Sequence, residues 1–318
     1  MKILVTGGAG YIGSHIVMLL CDKGHDIVVL DNLSLGTKEA IDKRAVFIEG
    51  SILNEEDLSK SLTGVEVVIH LAAYKSAGES MQNPQKYSEN NVIGSMNLLR
   101  SMIEKNVKNI IFSSSAAVYG VPEYLPLDEK HPLKPINHYG YTKLQTEKTI
   151  DLYGKNKKIR YVNLRYFNAA GYDALNRIRC LEKNPANLIP SVMEVASGKR
   201  DKLLVYGNNF DTVDGTGVRD YIHVSDLARA HLASLDLLSK NQSATINLGS
   251  EKQYSVMEVI RLTEKITGKE IPYEIVDKRE GDPDKVYASS ENAHNLLGWS
   301  AKDSELDNII ETTWRIYK

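Results

Sequence analysis

The first thirteen residues constrain this chain more than any other stretch. Lys2 to Thr6 is a short apolar strand, Gly7-Gly8-Ala9-Gly10-Tyr11-Ile12-Gly13 follows at once, and helical spacing runs from Ile12 to Lys23. A strand that passes straight into a helix through small residues leaves its backbone bare at the turn. GxxGxxG spacing lets that backbone approach a pyrophosphate, and the helix N-terminus adds free N–H groups and the positive end of its dipole. Glycine loops also make ordinary tight turns, so context decides. A second apolar strand, Asp26 to Leu30, leads into Asp31, 18 residues after Gly13. A carboxylate there accepts from the adenosine ribose hydroxyls and repels a 2′-phosphate, favouring NAD over NADP. The plainer alternative is a turn-starting Asp before Asn32.

Ala45 to Ile48, Val65 to His70 and Asn109 to Ser113 read as further strands, with Glu55 to Leu62 and Gln85 to Lys105 as helices between them. Continuous apolar strands separated by helices imply a parallel sheet covered on both faces. Right-handed crossovers make it a doubly wound, Rossmann-type α/β sheet. A long helix from about Asn137 to Gly154 and a strand from Arg160 to Arg165 follow. After Asn168 the segments shorten, and Pro185, Pro190, Gly207, Gly215 and Gly217 sit between them. We expect residues 1–168 to form an NAD-binding domain and 169–318 a smaller α/β substrate lobe. Within the lobe, 219–238 could pack back on the first domain, because Ser225 to Leu238 is a strong helix.

The 318 residues carry a formal net charge of −2, which gives no reason to expect a nucleic-acid or membrane-surface partner. Cys21 and Cys180 lie in no CxxC or Cys/His cluster and read as free thiols in a reducing compartment. The chain begins directly as a strand, without a signal-peptide pattern, and no apolar run approaches the ~20 residues of a membrane span. A cytoplasmic protein is expected. No HExxH or similar ligand spacing occurs, so no metal is expected. His70 and His223 read as packing or hydrogen-bonding residues.

Tyr139 and Lys143 are four apart at the start of the long helix and share a face. An ammonium beside a phenol favours tyrosinate and lowers its pKa toward the range of a general base. YxxxK recurs by chance, and a solvated helix face is its plain alternative. Ser113-Ser114-Ser115 stands where a strand ends, and in a parallel sheet such ends line the ligand crevice. Together these residues suit hydride transfer at a secondary alcohol.

These features resemble the extended short-chain dehydrogenase/reductases, and within them the epimerase branch acting on nucleotide sugars. The resemblance covers nearly the whole chain. It rests on VTGGAGYIGSH (Val5 to His15), VIHLAAYKSAGES (Val68 to Ser80), NNVIG (Asn90 to Gly94), FSSSAAVYG (Phe112 to Gly120) and YGYTK (Tyr139 to Lys143). LRYFNAAG (Leu164 to Gly171), NLIP (Asn187 to Pro190), DGTGVRDYIHVSDLA (Asp214 to Ala228) and REGD (Arg279 to Asp282) extend it. The resemblance implies retained NAD and inversion at C4 of a UDP-hexose, the UDP-glucose/UDP-galactose pair, in a homodimer joined through the two long helices. Tyr139 would be the base, Lys143 would hold the nicotinamide ribose and Ser115 would touch the sugar hydroxyl. The cofactor would lie against Gly7, Gly10, Tyr11, Ile12, Gly13, Asp31, Asn32, Ser51, Ile52, Leu71, Ala72, Ala73, Lys75, Asn91, Ser113 and Phe167. Asn168, Asn187 and Leu188 would line the nucleotide-sugar site, with Tyr206 at the uracil. Arg219 and Arg279 would clamp the diphosphate, a task suited to the planar guanidinium, and Asp282 would bind the uridine ribose. Related 4,6-dehydratases carry an acid after the catalytic hydroxyl residue; here Ser115 is followed by Ala116-Ala117, which disfavours dehydration. The other readings are a different nucleotide-sugar-modifying member, such as a dehydratase or decarboxylase, and a non-catalytic NAD-binding regulator.

The chain departs from the family in three places. Ser51 replaces the Asp of the usual Gly-Asp-Ile, so the adenine contact should be weaker or made by the backbone. Arg177-Ile178-Arg179-Cys180 replaces Arg-Ile-Gly-Glu, which implies a rearranged loop. Val286 falls where some members have a tyrosine beside the sugar, and its smaller size leaves room for an N-acetyl group.

Overall fold

The computed structural model describes residues 1–157, 159–183, 185, 187–279 and 281–318. The strands of the first half are β1 (Lys2–Thr6), β2 (Asp26–Asp31), β3 (Val46–Glu49), β4 (Val67–His70), β5 (Asn109–Ser115) and β6 (Arg160–Tyr166). Next come β7 (Asn168–Ala170), β8 (Leu203–Tyr206), β9 (Val218–Arg219), β10 (Tyr221–His223), β11 (Ala244–Leu248), β12 (Tyr254–Ser255), β13 (Tyr273–Val276) and β14 (Lys285–Val286). Seven of these form one parallel sheet in the order β11-β6-β5-β4-β1-β2-β3. The winding reverses between β1 and β4, and in such sheets the crevice beyond the strand ends at this point takes the ligand.

The helices are α1 (Tyr11–Asp22), α2 (Glu55–Ser61), α3 (Ala77–Gln82), α4 (Pro84–Tyr87), α5 (Gly94–Glu104), α6 (His138–Lys157), α7 (Leu188–Ala196), α8 (Val224–Ser239), α9 (Val256–Thr267), α10 (Glu291–Leu297) and α11 (Leu306–Tyr317). Strand alternation sends Ile3 and Val5 to one face, where α1 and α8 cover them with Ile16, Leu20, Leu227 and Leu235. Leu4, Ile110 and Phe112 face the other way, under Leu58, Leu98 and Ile150 of α2, α5 and α6. Both faces are thus buried, as the unbroken apolar strands required. The remaining core joins α7, α9 and α11 through Val192, Met193, Val259, Ile260, Ile309 and Ile310. Residues 224–248 return from this lobe, with α8 lying on α1 and β11 extending the sheet beside β6.

One expected element is built differently. The single helix read over Gln85 to Lys105 is α4, a π-helical turn at Ser88–Ile93, and α5. Asn91 lies in the wide turn, buried, with Nδ2 donating to the Tyr74 carbonyl (2.9 Å) and Thr142 Oγ1 (3.2 Å) and Oδ1 accepting from Tyr74 N (2.9 Å). The extra residue of a π turn lets one side chain leave the helical register, and such turns recur at functional sites.

Candidate active site

The glycine turn sits at the reversal point. Gly7 has φ +74°, and a Cβ on it would stand 2.7 Å from Ala72 N, so the chain leaving β1 touches the chain leaving β4. Gly13 is packed from below: a Cβ there would lie 2.2 Å from the Gly7 carbonyl oxygen. A Cβ on Gly10 would meet only Gly7 O, tightly, at 3.3 Å. The first turn of α1, which includes Ile12, carries no acid. Bare backbone and an unopposed helix N-terminus fit a dinucleotide pyrophosphate. Tyr11 opens α1, and its hydroxyl donates to the Gly171 carbonyl, which ties the turn to the loop after β7.

Asp31 ends β2 and is 8 % exposed. Its Oδ2 accepts from Ala9 N (3.0 Å) and its Oδ1 from Leu33 N (2.9 Å). Burial raises its pKa, while these bonds and the Lys183 ammonium oppose the rise. The acid therefore braces the glycine turn as well as facing the crevice. Asn32 is exposed and accepts from Ser34 N. Ser51 Oγ accepts from Leu53 N at 3.1 Å, and Ser51 N donates to Asp57 Oδ2 at 2.9 Å, so a carboxylate lies close to the backbone here. Ile52 is buried against Gly94. Leu71, Ala72 and Ala73 follow β4, and Leu71 N donates to Thr6 O.

The loop after Gly171 is tied to the first half of the chain by charged side chains. Arg177 pairs with Asp173 (2.7 Å) and Asp22 (2.8 Å), Glu182 with Lys75, and Lys183 Nζ donates to the carbonyls of Leu33 (3.2 Å) and Gly36 (2.9 Å). Lys75 is thus already paired, and neither Glu182 nor Lys183 carried a signal in the sequence as a neighbour of these residues.

Beside the turn, β5 runs on to Ser115, two residues longer than read from sequence. Ser115 Oγ accepts from Ala117 N (3.2 Å), and Ser115 lies beside the Tyr139 phenol. Lys143 Nζ donates to the Ser113 carbonyl at 2.7 Å and stands 5.9 Å from the Tyr139 ring centroid. The three residues converge as their spacing predicts, but their acidity differs from the expectation. Burial raises the Tyr139 phenol and outweighs the hydrogen bond with Ser115 that lowers it. Burial also lowers Lys143 to about 7, with Glu147 opposing.

Lys143 carries a stability consequence. Unfolded, it titrates near 10.5, so between pH 7 and 10.5 the unfolded chain binds more protons and stability rises with pH. Stripped of cofactor, the protein is expected to gain melting temperature relative to Lys143→Met as pH rises from about 7 to 10. A difference that stays flat over that range would contradict the burial of this ammonium.

The substrate-lobe candidates form two linked groups. Arg279 lays its guanidinium 3.7 Å over the Tyr206 ring at the end of β8. Arg219 Nη2 donates to Asp282 Oδ1 (2.5 Å), and Val286 is the register partner of Arg219. Asp282 N donates to Arg279 O (3.2 Å), joining the groups; Glu280 of the same motif lies outside the described residues. Asn168 N and Nδ2 both donate to Asp220 O, at 3.1 and 2.9 Å. Asn187 is an exposed N-cap of α7 with no side-chain cap, and Leu188 begins the helix. Phe167 is buried in a cluster with Val118 and Leu144, against which Val286 packs.

Two acids not singled out from sequence organise this side. Asp220 is fully buried and accepts from Ser250 N and Oγ, Glu251 N and Ala288 N. Asp226 accepts from Lys302 N, Asp303 N and Ser304 Oγ. Their only signal was their place in the DGTGVRDYIHVSDLA stretch. His70 bridges Thr6 (2.7 Å) and Ser95 (2.8 Å), and His223 reaches Thr312 (3.1 Å), so both serve packing and hydrogen bonding. Among the described residues, no helix is long and apolar enough to cross a membrane.

Comparison with known proteins agrees with this geometry. The family model "NAD dependent epimerase/dehydratase family" matches residues 3–249. A UDP-glucose 4-epimerase of Halalkalibacterium halodurans is 45 % identical over 100 % of this chain and 96 % of its own length. A crystal structure of UDP-glucose 4-epimerase from Brucella ovis in complex with NAD superposes with a TM-score of 0.97 at 41 % identity, covering 99 % of this chain and 98 % of that one. The UDP-Glc/GlcNAc 4-epimerase of Campylobacter jejuni gives 0.87 at 38 % identity, covering 99 % and 98 %. The family model and these full-length relatives place this chain in the NAD-dependent epimerase/dehydratase family.

Proposed function

We propose that this chain interconverts UDP-glucose and UDP-galactose by inverting C4 of the hexose. The observation that carries the proposal is the convergence of Ser115, Tyr139 and Lys143 at the end of β5, beside the glycine turn. Full-length relatives that are UDP-glucose 4-epimerases support the same reaction. In this reading residues 1–168 chiefly hold NAD over Gly7, Gly10 and Gly13, with Asp31 on the adenosine ribose. Residues 169–318 hold the nucleotide sugar.

Bound NAD supplies the acceptor and donor of the C4 hydride and the positive charge that Tyr139 lacks in the free chain. Tyr139 takes the proton of the C4 hydroxyl, which Ser115 orients by a hydrogen bond. Lys143 holds the nicotinamide ribose and steadies the tyrosinate. Arg219 and Arg279 grip the diphosphate in bidentate fashion. To do so they leave Asp282 and the Tyr206 ring, which then meet the uridine ribose and the uracil. The 4-keto hexose turns about its diphosphate link and shows its other face, and Tyr139 returns the proton. Ser115 is followed by Ala116-Ala117, so no carboxylate stands there to drive loss of water. UDP-galactose incubated with the purified chain is expected to yield UDP-glucose by NMR. A 4-keto-6-deoxy or decarboxylated product would assign it to another branch, and no product at all would fit a non-catalytic NAD-binding regulator.

Val286 gives the sugar pocket a small wall. Turnover of UDP-GlcNAc to UDP-GalNAc is expected alongside the glucose pair, in keeping with the C. jejuni enzyme. Val286→Tyr should suppress the N-acetyl reaction at least about tenfold, one misplaced group's worth of discrimination, and spare UDP-glucose. Equal loss on both sugars would refute this role.

A homodimer through α5 and α6 fits the exposed Met96 and Leu152 and a shallow cavity of about 460 Å³ between these helices, lined by Ile103, Leu152 and Tyr153. Light scattering should give twice the chain mass of 35.5 kDa, and Leu152→Glu should halve it. The thiols of Cys21 and Cys180 suit a reducing, cytoplasmic compartment.

A further inference from the structure

The three serines that end β5 are matched by a stripe of three residues on α6, of which the mechanism above uses two. Tyr139, Lys143 and Glu147 are spaced four apart and share a helix face. Each meets a different serine. Tyr139 lies beside Ser115, Lys143 Nζ donates to the Ser113 carbonyl, and Ser114 Oγ donates to Glu147. Glu147 is buried and takes a two-pronged bond from Arg165, Nε to Oε1 at 2.9 Å and Nη2 to Oε2 at 2.6 Å. Arg165 is the register partner of Ser114 across β5 and β6, and Asn247 is the partner of Arg165 across β6 and β11. The Tyr119 hydroxyl closes the row, accepting from Arg165 Nη1 (3.0 Å) and donating to Asn247 Oδ1 (2.6 Å). A buried polar row thus crosses three strands one residue below Ser115.

A buried ion pair is a poor device for stability, since apolar residues of equal volume often do as well or better. Its strength is fixed, directional geometry. We propose that Glu147, clamped by Arg165, is a positioning residue of the catalytic site. It holds Ser114, and with it the flanking Ser113 carbonyl and Ser115 hydroxyl, at the height on α6 where Lys143 and Tyr139 meet them. The inference rests on the Tyr139–Lys143 reading of the reaction.

Glu147 also acts on Lys143 by charge, since it is the carboxylate that favours the ammonium there. The other titratable groups around Lys143 are Tyr139 on the same helix face, His70 at the end of β4 and, beyond Glu147, Arg165. Without Glu147 the ammonium is lost at lower pH.

The test uses the NAD-loaded enzyme and four variants: Ser114→Ala, Glu147→Gln, Glu147→Gln with Arg165→Met, and Tyr139→Phe. Cofactor content, melting temperature, kcat, KM and the pH profile of kcat are measured. Ser114→Ala is expected to lower kcat about tenfold, the scale of one charge-assisted hydrogen bond, with KM unchanged. Glu147→Gln should lower kcat about a hundredfold, as for a misplaced catalytic group, and move the alkaline limb of the profile to lower pH. In the double variant the unpaired guanidinium is gone, so melting temperature recovers while kcat and the alkaline limb do not. Recovery of kcat with the melting temperature would overturn the proposal, because Glu147 would then only neutralise Arg165. Wild-type kcat and pH profile in Ser114→Ala would overturn it too, and that mild variant decides if the others fail to fold. If Tyr139→Phe keeps full turnover, the reading of the reaction fails instead.

Discussion

Tyr139→Phe is expected to lower turnover of UDP-galactose by roughly 10²–10⁴-fold, the usual contribution of a positioned general base. The purified variant should carry as much NAD as the wild type. The phenol oxygen is the only heavy atom removed, and its neighbour is Ser115, so the fold is little disturbed near the cleft. The backbone around it is held by other contacts: Tyr139 N donates to Ser80 Oγ at 3.0 Å, and Thr142 Oγ1 donates to Tyr139 O at 2.7 Å. Retained cofactor with lost turnover would assign the loss to proton transfer. Turnover within a few-fold of wild type would remove Tyr139 from the mechanism.

Gly13→Ala should have the second large effect, on cofactor retention. Its Cβ would stand 2.2 Å from Gly7 O and 2.8 Å from Gly8 Cα, both backbone atoms without a rotamer to change. The turn has to open, at a cost of about 1–3 kcal/mol by analogy with overpacked sites. Opening it withdraws the N–H groups of the turn from the pyrophosphate. The expected protein is folded, less stable and largely free of NAD, read from the dinucleotide released on denaturation. Gly10→Ala is the control. Its Cβ meets only Gly7 O at 3.3 Å, so the turn shifts by a few tenths of an ångström at most, and a loss of NAD with unchanged melting temperature reports the ligand's own approach. Full NAD content in Gly13→Ala would mean that the turn is not the pyrophosphate cradle.

What was legible in the sequence follows from how local each signal is. The strand-glycine-helix unit is written in thirteen neighbouring residues, and the structure builds it there. The Tyr139–Lys143 pair is helical spacing; the strand end pointed to the three serines, and the family resemblance picked Ser115 among them. The π turn at Ser88–Ile93 was not legible, because Asn91 leaves the helical register for Tyr74 and Thr142, partners supplied by the fold. Asp220 and Asp226 read in sequence like any loop or helix-start acid. Their importance comes from backbone donors 30 and 76 residues away. Glu147 and Arg165 are paired by the register of β5 and β6 and by the seat of α6 above them, and neither is a spacing rule. Glu182 and Lys183 reach the site only through the course of a long loop. The acidity of the free chain was not legible for the same reason: four residues of spacing bring Lys143 to Tyr139, but the depth of burial that raises one and lowers the other belongs to the tertiary structure.

The most direct test follows the hydrogen at C4. UDP-galactose carrying deuterium at that carbon is incubated with the purified chain in ordinary water, with no dinucleotide added, and the products are read by NMR. The account predicts UDP-glucose with the deuterium still on C4, because the hydride is taken and given back within one closed site. UDP-glucose with hydrogen from solvent at C4 would contradict it, and so would no conversion by protein shown to contain NAD.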